Sequence, residues 1–475
     1  MENIFKHLTK AEYLFVLIAL FFGVWFAKMT PPLWGVDETA HFARAYQLAH
    51  GDFSPKKNLD GTYGGALPKN LVTLWNYTKS DLLDNKGGGI FSRKDVDSTA
   101  TYNKLDRQPF SKQQQTSPGS AVYSPVAYVA PTIGVVVADI FHASIEQTIF
   151  LARLCSLLLY IALIWLGIRL LRNSKLKWLI FTIALLPMSL YQASIVTADN
   201  MIVGLSLLLV CILVRLFQNT GTAKDKRLFY ALVAVASIIP LVKLNYILLS
   251  FGLVLVPNRL FKSAKTAIAA KAGGVSLAVI LGLLWAMASK VTSNIAASQR
   301  SDGAKLVASA QISFMAHHPL HFFEACARSI ANSGDSYFQS MISLLGWNFV
   351  GIPIIITCLL VIGILLAGFY AKDEVIAIRQ KLILFNVLVL GGIIGVFASL
   401  YIAFNPTGSR AVDGIQGRYF LPFIAPVVML LAAFIPIEVK IKARQAPYIF
   451  GTISSLSLAV SAVYYLLATY GRQVL

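Results

Sequence analysis

Acid and cysteine are scarce in this chain. It has 22 Asp and Glu against 41 Lys and Arg, and only 13% of its 475 residues are charged. A soluble globular domain carries about a quarter charged residues, so an ordinary solvated surface is excluded. The four cysteines, Cys155, Cys211, Cys326 and Cys358, show no CxxC or other metal spacing. That argues against a disulfide framework and a zinc site. The first apolar block is followed by Pro31-Pro32 and an acidic pair, without a small-residue cleavage site. It is therefore read as a retained helix, not a signal peptide. Internal repeats are absent, which weighs against a carrier built from inverted halves.

What the chain has in quantity is apolar sequence. Hydrophobic residues make up 56%, and the mean hydropathy is +0.66. They come in blocks near twenty residues long, the length that crosses a bilayer as helix, whereas a barrel would show short alternating segments. The expected class is an all-α polytopic membrane protein forming one transmembrane domain over 1–475.

The net charge of +19 does not indicate nucleic acid. Segments 1–10, 169–177, 215–227, 259–271, 372–381 and 438–445 hold 20 of the 41 cations and five of the 22 acids, and so carry +15 of the +19. Basic clusters at alternating span ends mark the cytoplasmic side. The reading that follows has eleven spans: 12–29, 149–171, 178–192, 200–217, 228–241, 245–258, 272–289, 349–371, 382–404, 420–437 and 447–469. It puts the N-terminus in the cytoplasm and the C-terminus outside. Residues 30–148 form a first outer loop, too long for a passive connection. Within it 121–141 reads as an interfacial or re-entrant helix, since Pro125 and Pro131 interrupt it. A second outer segment, 290–348, is expected to carry an amphipathic helix at 304–331.

Polar residues at the expected outer boundary fall in four clusters. Asp37, Glu38, His41 and Arg44 follow the first span. Ser194, Asp199 and Asn200 lie between the third and fourth. Lys243, Asn245 and Tyr246 lie between the fifth and sixth. Arg410, Asp413, Gln416, Arg418 and Tyr419 precede the tenth. Ionisable groups at membrane depth are costly and are functional candidates, and the four clusters suggest one shared cleft. For Asp37 and Glu38, capping of a helix beginning at Thr39 and catalysis are both open. Asp199 suits an N-cap of the fourth span. Arg153, early in the second, is placed to pair with an acid or a lipid phosphate. Lys243 either snorkels to the headgroups or, beside Asn245 and Tyr246, binds phosphate. Arg418, delivered by 414-GIQGRYFLP-422, is of the type that grips phosphate bidentately. His317, His318 and His321 are interrupted by Pro319, with only Glu324 to add a carboxylate, which argues against a metal set.

The ordered set DETAHFARAYQLAHGD, YSPVAYVAP, SIVTADN and GIQGRYFLP resembles a bacterial multispanning family of unknown function that looks related to GT-C glycosyltransferases. These include protein mannosyltransferases, aminoarabinose transferases and enzymes that modify O-antigen. The resemblance covers most of the chain. It implies a GT-C-like fold of about eleven spans in the bacterial cytoplasmic (inner) membrane, with the active site on the outer face. The implied reaction moves a sugar from a polyprenyl-phosphate donor, such as an undecaprenyl-phosphate sugar, to a cell-surface glycan. Asp37 would be the general base, supported by Glu38. Arg418, Lys243, Arg153 and Arg44 would bind the donor phosphate. His41, Tyr123, Asp199, Asn245, Gln416 and Tyr419 would line the substrate site. No cofactor or divalent metal is expected. Expected partners are membrane lipids, the donor, a glycan acceptor, a donor-synthesising glycosyltransferase and a flippase. The soluble C-terminal domain of oligosaccharyltransferases is absent, against peptide glycosylation of that kind. Rival readings are a flippase or transporter of lipid-linked glycans, a polymerase or ligase, and a noncatalytic scaffold.

Overall fold

The computed structural model describes residues 9–53, 56–57, 63–68, 70–74, 114–116, 123–218, 223–293, 306–347 and 350–471. Most of the first outer loop between 54 and 122, and residues 294–305 of the second outer segment, lie outside the described residues. The protein is mainly helical. Seven helices among the described residues are long and apolar enough to cross a membrane: Ala11–Met29 (α1), Ile145–Leu170 (α4), Asp199–Gln218 (α7), a stretch of Ala264–Ser293 (α10), Arg379–Phe404 (α15), Gly417–Phe434 and Ala446–Tyr470 (α17). A multi-pass membrane protein follows from this.

The other four expected spans are helical but short, broken or charged. The third is split into Lys177–Ala184 (α5) and Pro187–Ala193 (α6). Pro187 stands at the first helical position of α6, where a missing N–H is tolerated, and it stops α5 from continuing. The fifth lies within Ala223–Val242 (α8), which begins with four charged residues between 224 and 227. The sixth, Leu244–Leu255, alternates between 3-10 turns and the single α-turn Ile247–Ser250 (α9). The eighth is the 17-residue Ile354–Tyr370 (α13). The amphipathic segment is likewise two helices, Ala308–His317 (α11) and Pro319–Ile342 (α12), divided where Pro319 follows His318. The expectation of purely helical structure is corrected in the first outer loop. There Lys56–Lys57 (β1), Tyr63–Leu67 (β2) and Gln114–Thr116 (β3) form an antiparallel sheet in sequence order, with Gly65 opposite Thr116.

The chain divides into two compact units. The first contains 1–204, 342–370 and 439–475; the second contains 205–341 and 371–438. In the first unit α1 and α4 pack closely because Gly23 leaves room for Leu157: a Cβ there would lie 2.6 Å from a Leu157 methyl. A Ser144–Gln147 capping box starts α4, each side chain satisfying an N–H of the other's segment. The helix Val129–Ile140 (α3), entered through a 3-10 turn at Pro125–Tyr128, crosses α4 at Gly134, where a Cβ would sit 2.5 Å from the Leu151 carbonyl. Phe26 meets Tyr191 (5.9 Å) and Tyr465 (5.8 Å) edge to face, Tyr191 and Tyr465 lie tilted at 5.4 Å between ring centres, and the three tie α1, α6 and α17 together. Aromatic pairs of this geometry contribute beyond their buried area.

In the second unit the loop 405–417 is laid along α11 and α12. Gly408 N–H donates to Gln311 Oε1 (2.9 Å), and Val412 N–H to Ser329 Oγ (2.6 Å). Gly417 N–H donates to Ser340 Oγ at 2.9 Å. A Cβ on Gly417 would fall 1.8 Å from the Tyr337 carbonyl, so only glycine lets the backbones approach this closely.

Candidate functional site

In the first unit, the acidic pair ends the turn after α1 and starts Glu38–Ala49 (α2). The two carboxylates have different fates. Glu38 is completely buried. Its carboxylate accepts from Arg153 Nε (2.7 Å) and Nη2 (2.5 Å), from Gly35 N–H (3.0 Å) and from Val196 N–H (3.0 Å). Arg153 also donates to the carbonyls of Ala27, Thr30 and Pro31 at 2.6–2.9 Å. Those bonds take up all five guanidinium donors and satisfy carbonyls at the end of α1 that have no partner within the helix. Glu38 and Arg153 therefore lock together the end of α1, the turn before α2, α4 and the segment 194-SIVTADN-200. The expectation that Arg153 binds donor phosphate is corrected: it pairs with an acid, the other option its position allowed.

Gly35 belongs to this lock. A Cβ there would meet Glu38 Oε2 and Ile195 Cβ at 2.9 Å. Asp37, one residue before Glu38, occupies the cap position of α2 with φ 57° and ψ 9°, and its side chain makes no capping hydrogen bond. A non-glycine residue in this left-handed region is uncommon, though Asp tolerates it better than most. The Glu38 lock holds the turn that imposes it. Asp37 is half-buried.

Arg44 is tied to backbone carbonyls, and its Nε has no hydrogen-bond partner among the described residues. It is 1% exposed and donates to the carbonyls of Asp52 (2.8 Å) and Phe53 (2.7 Å), closing the chain that leaves α2. Burial lowers its pKa, with Tyr128 and Asp52 opposing. His41 Nδ1 shares a 2.6 Å hydrogen bond with the Tyr128 hydroxyl, and its ring stacks on Tyr123 at 5.8 Å. The motifs DETAHF and YSPVAY are thus brought together, His41 against Tyr123 and Tyr128. Tyr128 itself had not been singled out, although its spacing from Tyr123 in an interrupted apolar helix was visible. Tyr128→Phe should lower the midpoint of thermal unfolding by an amount corresponding to about 1 kcal/mol or more, because a buried imidazole nitrogen loses its partner.

Asp199 is the first residue of α7. Thr197 Oγ1 accepts from the Asp199 N–H at 3.2 Å, and Asp199 and Asn200 are buried at the helix start.

In the second unit, Lys243 and Arg418 converge on one ring. Lys243 Nζ lies 5.1 Å from the Tyr419 ring centre, and the Arg418 guanidinium carbon lies 5.3 Å from it. Both cations are buried, at 7% and 4% exposure. Tyr246 fixes the ring from behind the backbone, its hydroxyl donating to the Tyr419 carbonyl at 2.8 Å while its own ring stacks on Phe423. Lys243 is delivered by the break between α8 and the 3-10 turn 244–246. Arg418 is delivered by the loop whose last residue, Gly417, is bonded to Ser340. Asn245 and Gln416 are half-buried beside these two breaks. Two positive charges at one aromatic ring repel each other and attract an anion, and the negative faces of the ring lessen the cost.

The three histidines that the sequence argues against as a metal set are placed as well. His321 Nε2 lies 3.2 Å from the carbonyls of both Gly408 and Ser409, so it holds the 405–417 loop. Among the described residues no group of three or more His, Cys, Asp or Glu is arranged for a metal ion.

A family model described as "Predicted membrane protein (DUF2142)" matches residues 20–428. No curated protein matches the chain. No solved structure matches it either.

Proposed function

We propose that this chain, which belongs to the family of predicted membrane proteins DUF2142, transfers a sugar from a polyprenyl-phosphate donor to a glycan acceptor at the outer face of a bacterial cytoplasmic membrane. The observation that carries the reading is the pair Lys243 and Arg418 on the Tyr419 ring. A polyprenyl-phosphate sugar leaves behind a phosphate at the end of an apolar chain. Two buried cations at span ends are suited to that group, and fixed positive charge where a leaving group gains negative charge lowers the barrier.

In the proposed reaction the Asp37 carboxylate takes the proton of an acceptor hydroxyl. The oxygen attacks the anomeric carbon, the bond from that carbon to the phosphate oxygen breaks, and the configuration inverts. The electron pair departs with the polyprenyl phosphate, whose charge Arg418 and Lys243 receive. Glu38 and Arg153 act by position only, holding the turn that presents Asp37. No nucleotide or metal enters the scheme, because the donor is already activated by its phosphate.

The test is a transfer assay on full-length protein in lipid with a panel of polyprenyl-phosphate hexoses. Arg418→Ala should reduce turnover by about 10²–10³, the cost of removing one preorganised charge-stabilising donor, and Lys243→Ala should also reduce it. Turnover unchanged in both variants removes the pair from the donor-phosphate role. Movement of labelled lipid-linked glycan across the bilayer without donor consumption would favour a transporter.

A further inference from the structure

The first unit contains a second polar feature at the other end of α1 and α4 from Asp37 and Arg153. It is a cavity of about 640 Å³ lined by the start of α1, the end of α4 with the turn after it, and residues of α5, α13 and α17. Five cationic side chains line it: Lys10, Arg169, Arg172, Lys175 and Lys177. Glu12 is its one acidic lining residue. A basic stripe that only obeys the positive-inside rule would spread its charges over the surface. Here they surround one recess, and several are held in place. Lys175 Nζ sits 5.1 Å from the Tyr370 ring centre, and Lys177 Nζ donates to the Arg172 carbonyl at 2.7 Å.

Two further observations bear on what enters. The first turns of α1, α5 and α17 contribute to the lining, and the residues at their cap positions, Lys10, Leu176 and Gln445, supply no side-chain cap bond. The uncapped starts of α1 and α5 add N–H groups, and all three starts add positive dipole ends, to the cations already present. Glu12 is 7% exposed, and among the described residues no side-chain hydrogen bond or ion pair reaches its carboxylate. It offers an acceptor inside an otherwise cationic recess.

From this we infer that the cavity binds a phosphate group that carries a neighbouring hydroxyl or amine donor, the phosphate among the five cations and the donor on Glu12. Both a phospholipid headgroup and a soluble phosphorylated polyol have this chemistry. The site is separate from the Asp37 turn, and its occupation braces the ends of α1, α4 and α17 that frame the first unit.

The experiment is native mass spectrometry on delipidated full-length protein in detergent. The probes are phosphatidylglycerol, phosphatidylcholine, which has no such donor, and glycerol 3-phosphate. Wild type should retain one phosphatidylglycerol in preference to phosphatidylcholine. Arg172→Gln with Lys175→Gln should weaken retention about tenfold, the loss expected for charge-assisted hydrogen bonds to phosphate, at an unchanged unfolding temperature. Glu12→Ala should erase the preference over phosphatidylcholine. If glycerol 3-phosphate binds one to one with the same sensitivity to the double variant, the site stands and its source is a soluble phosphate. If the double variant does not fold, Lys10→Gln, at an exposed position, supplies the comparison. Retention of all three probes equally in wild type and variants, or of none in wild type, overturns the inference.

Discussion

Arg153→Ala should leave little folded protein, lowering stability by about 3–5 kcal/mol as expected for breaking one side of a buried ion pair. The loss has three sources. Glu38, fully buried, would keep its charge with only the N–H groups of Gly35 and Val196 as donors. The carbonyls of Ala27, Thr30 and Pro31 would lose their partner at the end of α1. The α4 helix would lose its tie to the 194–200 segment, which runs through Glu38. Thermal unfolding of the purified full-length protein measures this. Glu38→Gln should be milder than Arg153→Ala, since an amide oxygen still accepts, although the Arg153 charge then has only carbonyls for company. An Arg153→Ala protein that melts like wild type would show that the lock does not hold the fold together.

Asp37→Asn should lower kcat by about 10²–10⁴ with KM nearly unchanged, the usual cost of removing a general base. The fold should survive, because Asn tolerates the left-handed conformation at φ 57° and the Asp37 side chain does not cap α2. Asp37→Ala is the poorer test, since alanine is strained at that φ. Asp37→Gly removes the carboxylate without strain and should match the Asn variant. If both variants turn over at the wild-type rate, Asp37 is not the base. Combining Asp37→Asn with Arg418→Ala adds information. If base and phosphate site serve one displacement, the double variant should lose less than the product of the two single losses. Independent multiplication would show that the two residues act without coupling to each other.

The family motifs were legible as local strings, but their roles were not. Adjacent carboxylates Asp37 and Glu38 look equivalent in the sequence. In the fold one is sealed by Arg153, 115 positions away, and the other is left at a strained cap. His41 and Arg44 share a helix with Glu38, a spacing that by itself favours mutual pairing. Arg44 instead turns to the carbonyls of Asp52 and Phe53, and His41 to Tyr128. The requirement for Gly417 is the approach of the α12 backbone, which the string GIQGRYFLP does not show. The broken third span was foreseeable from Pro187, yet its apolar length masked the break. The small sheet of the first outer loop carries no strong alternation, being Gly- and Lys-rich, and so left no periodic signal.

Composition, block length and the placement of Lys and Arg suffice to make this a helical, multi-pass membrane protein. Those properties depend on summed transfer free energies, which add residue by residue along a chain. The division of labour among the charged residues depended on the tertiary structure alone. A buried ion takes whichever counter-charge or ring the packing brings within reach, and for Glu38, Arg153 and Lys243 that partner or ring comes from the folding of segments distant in sequence.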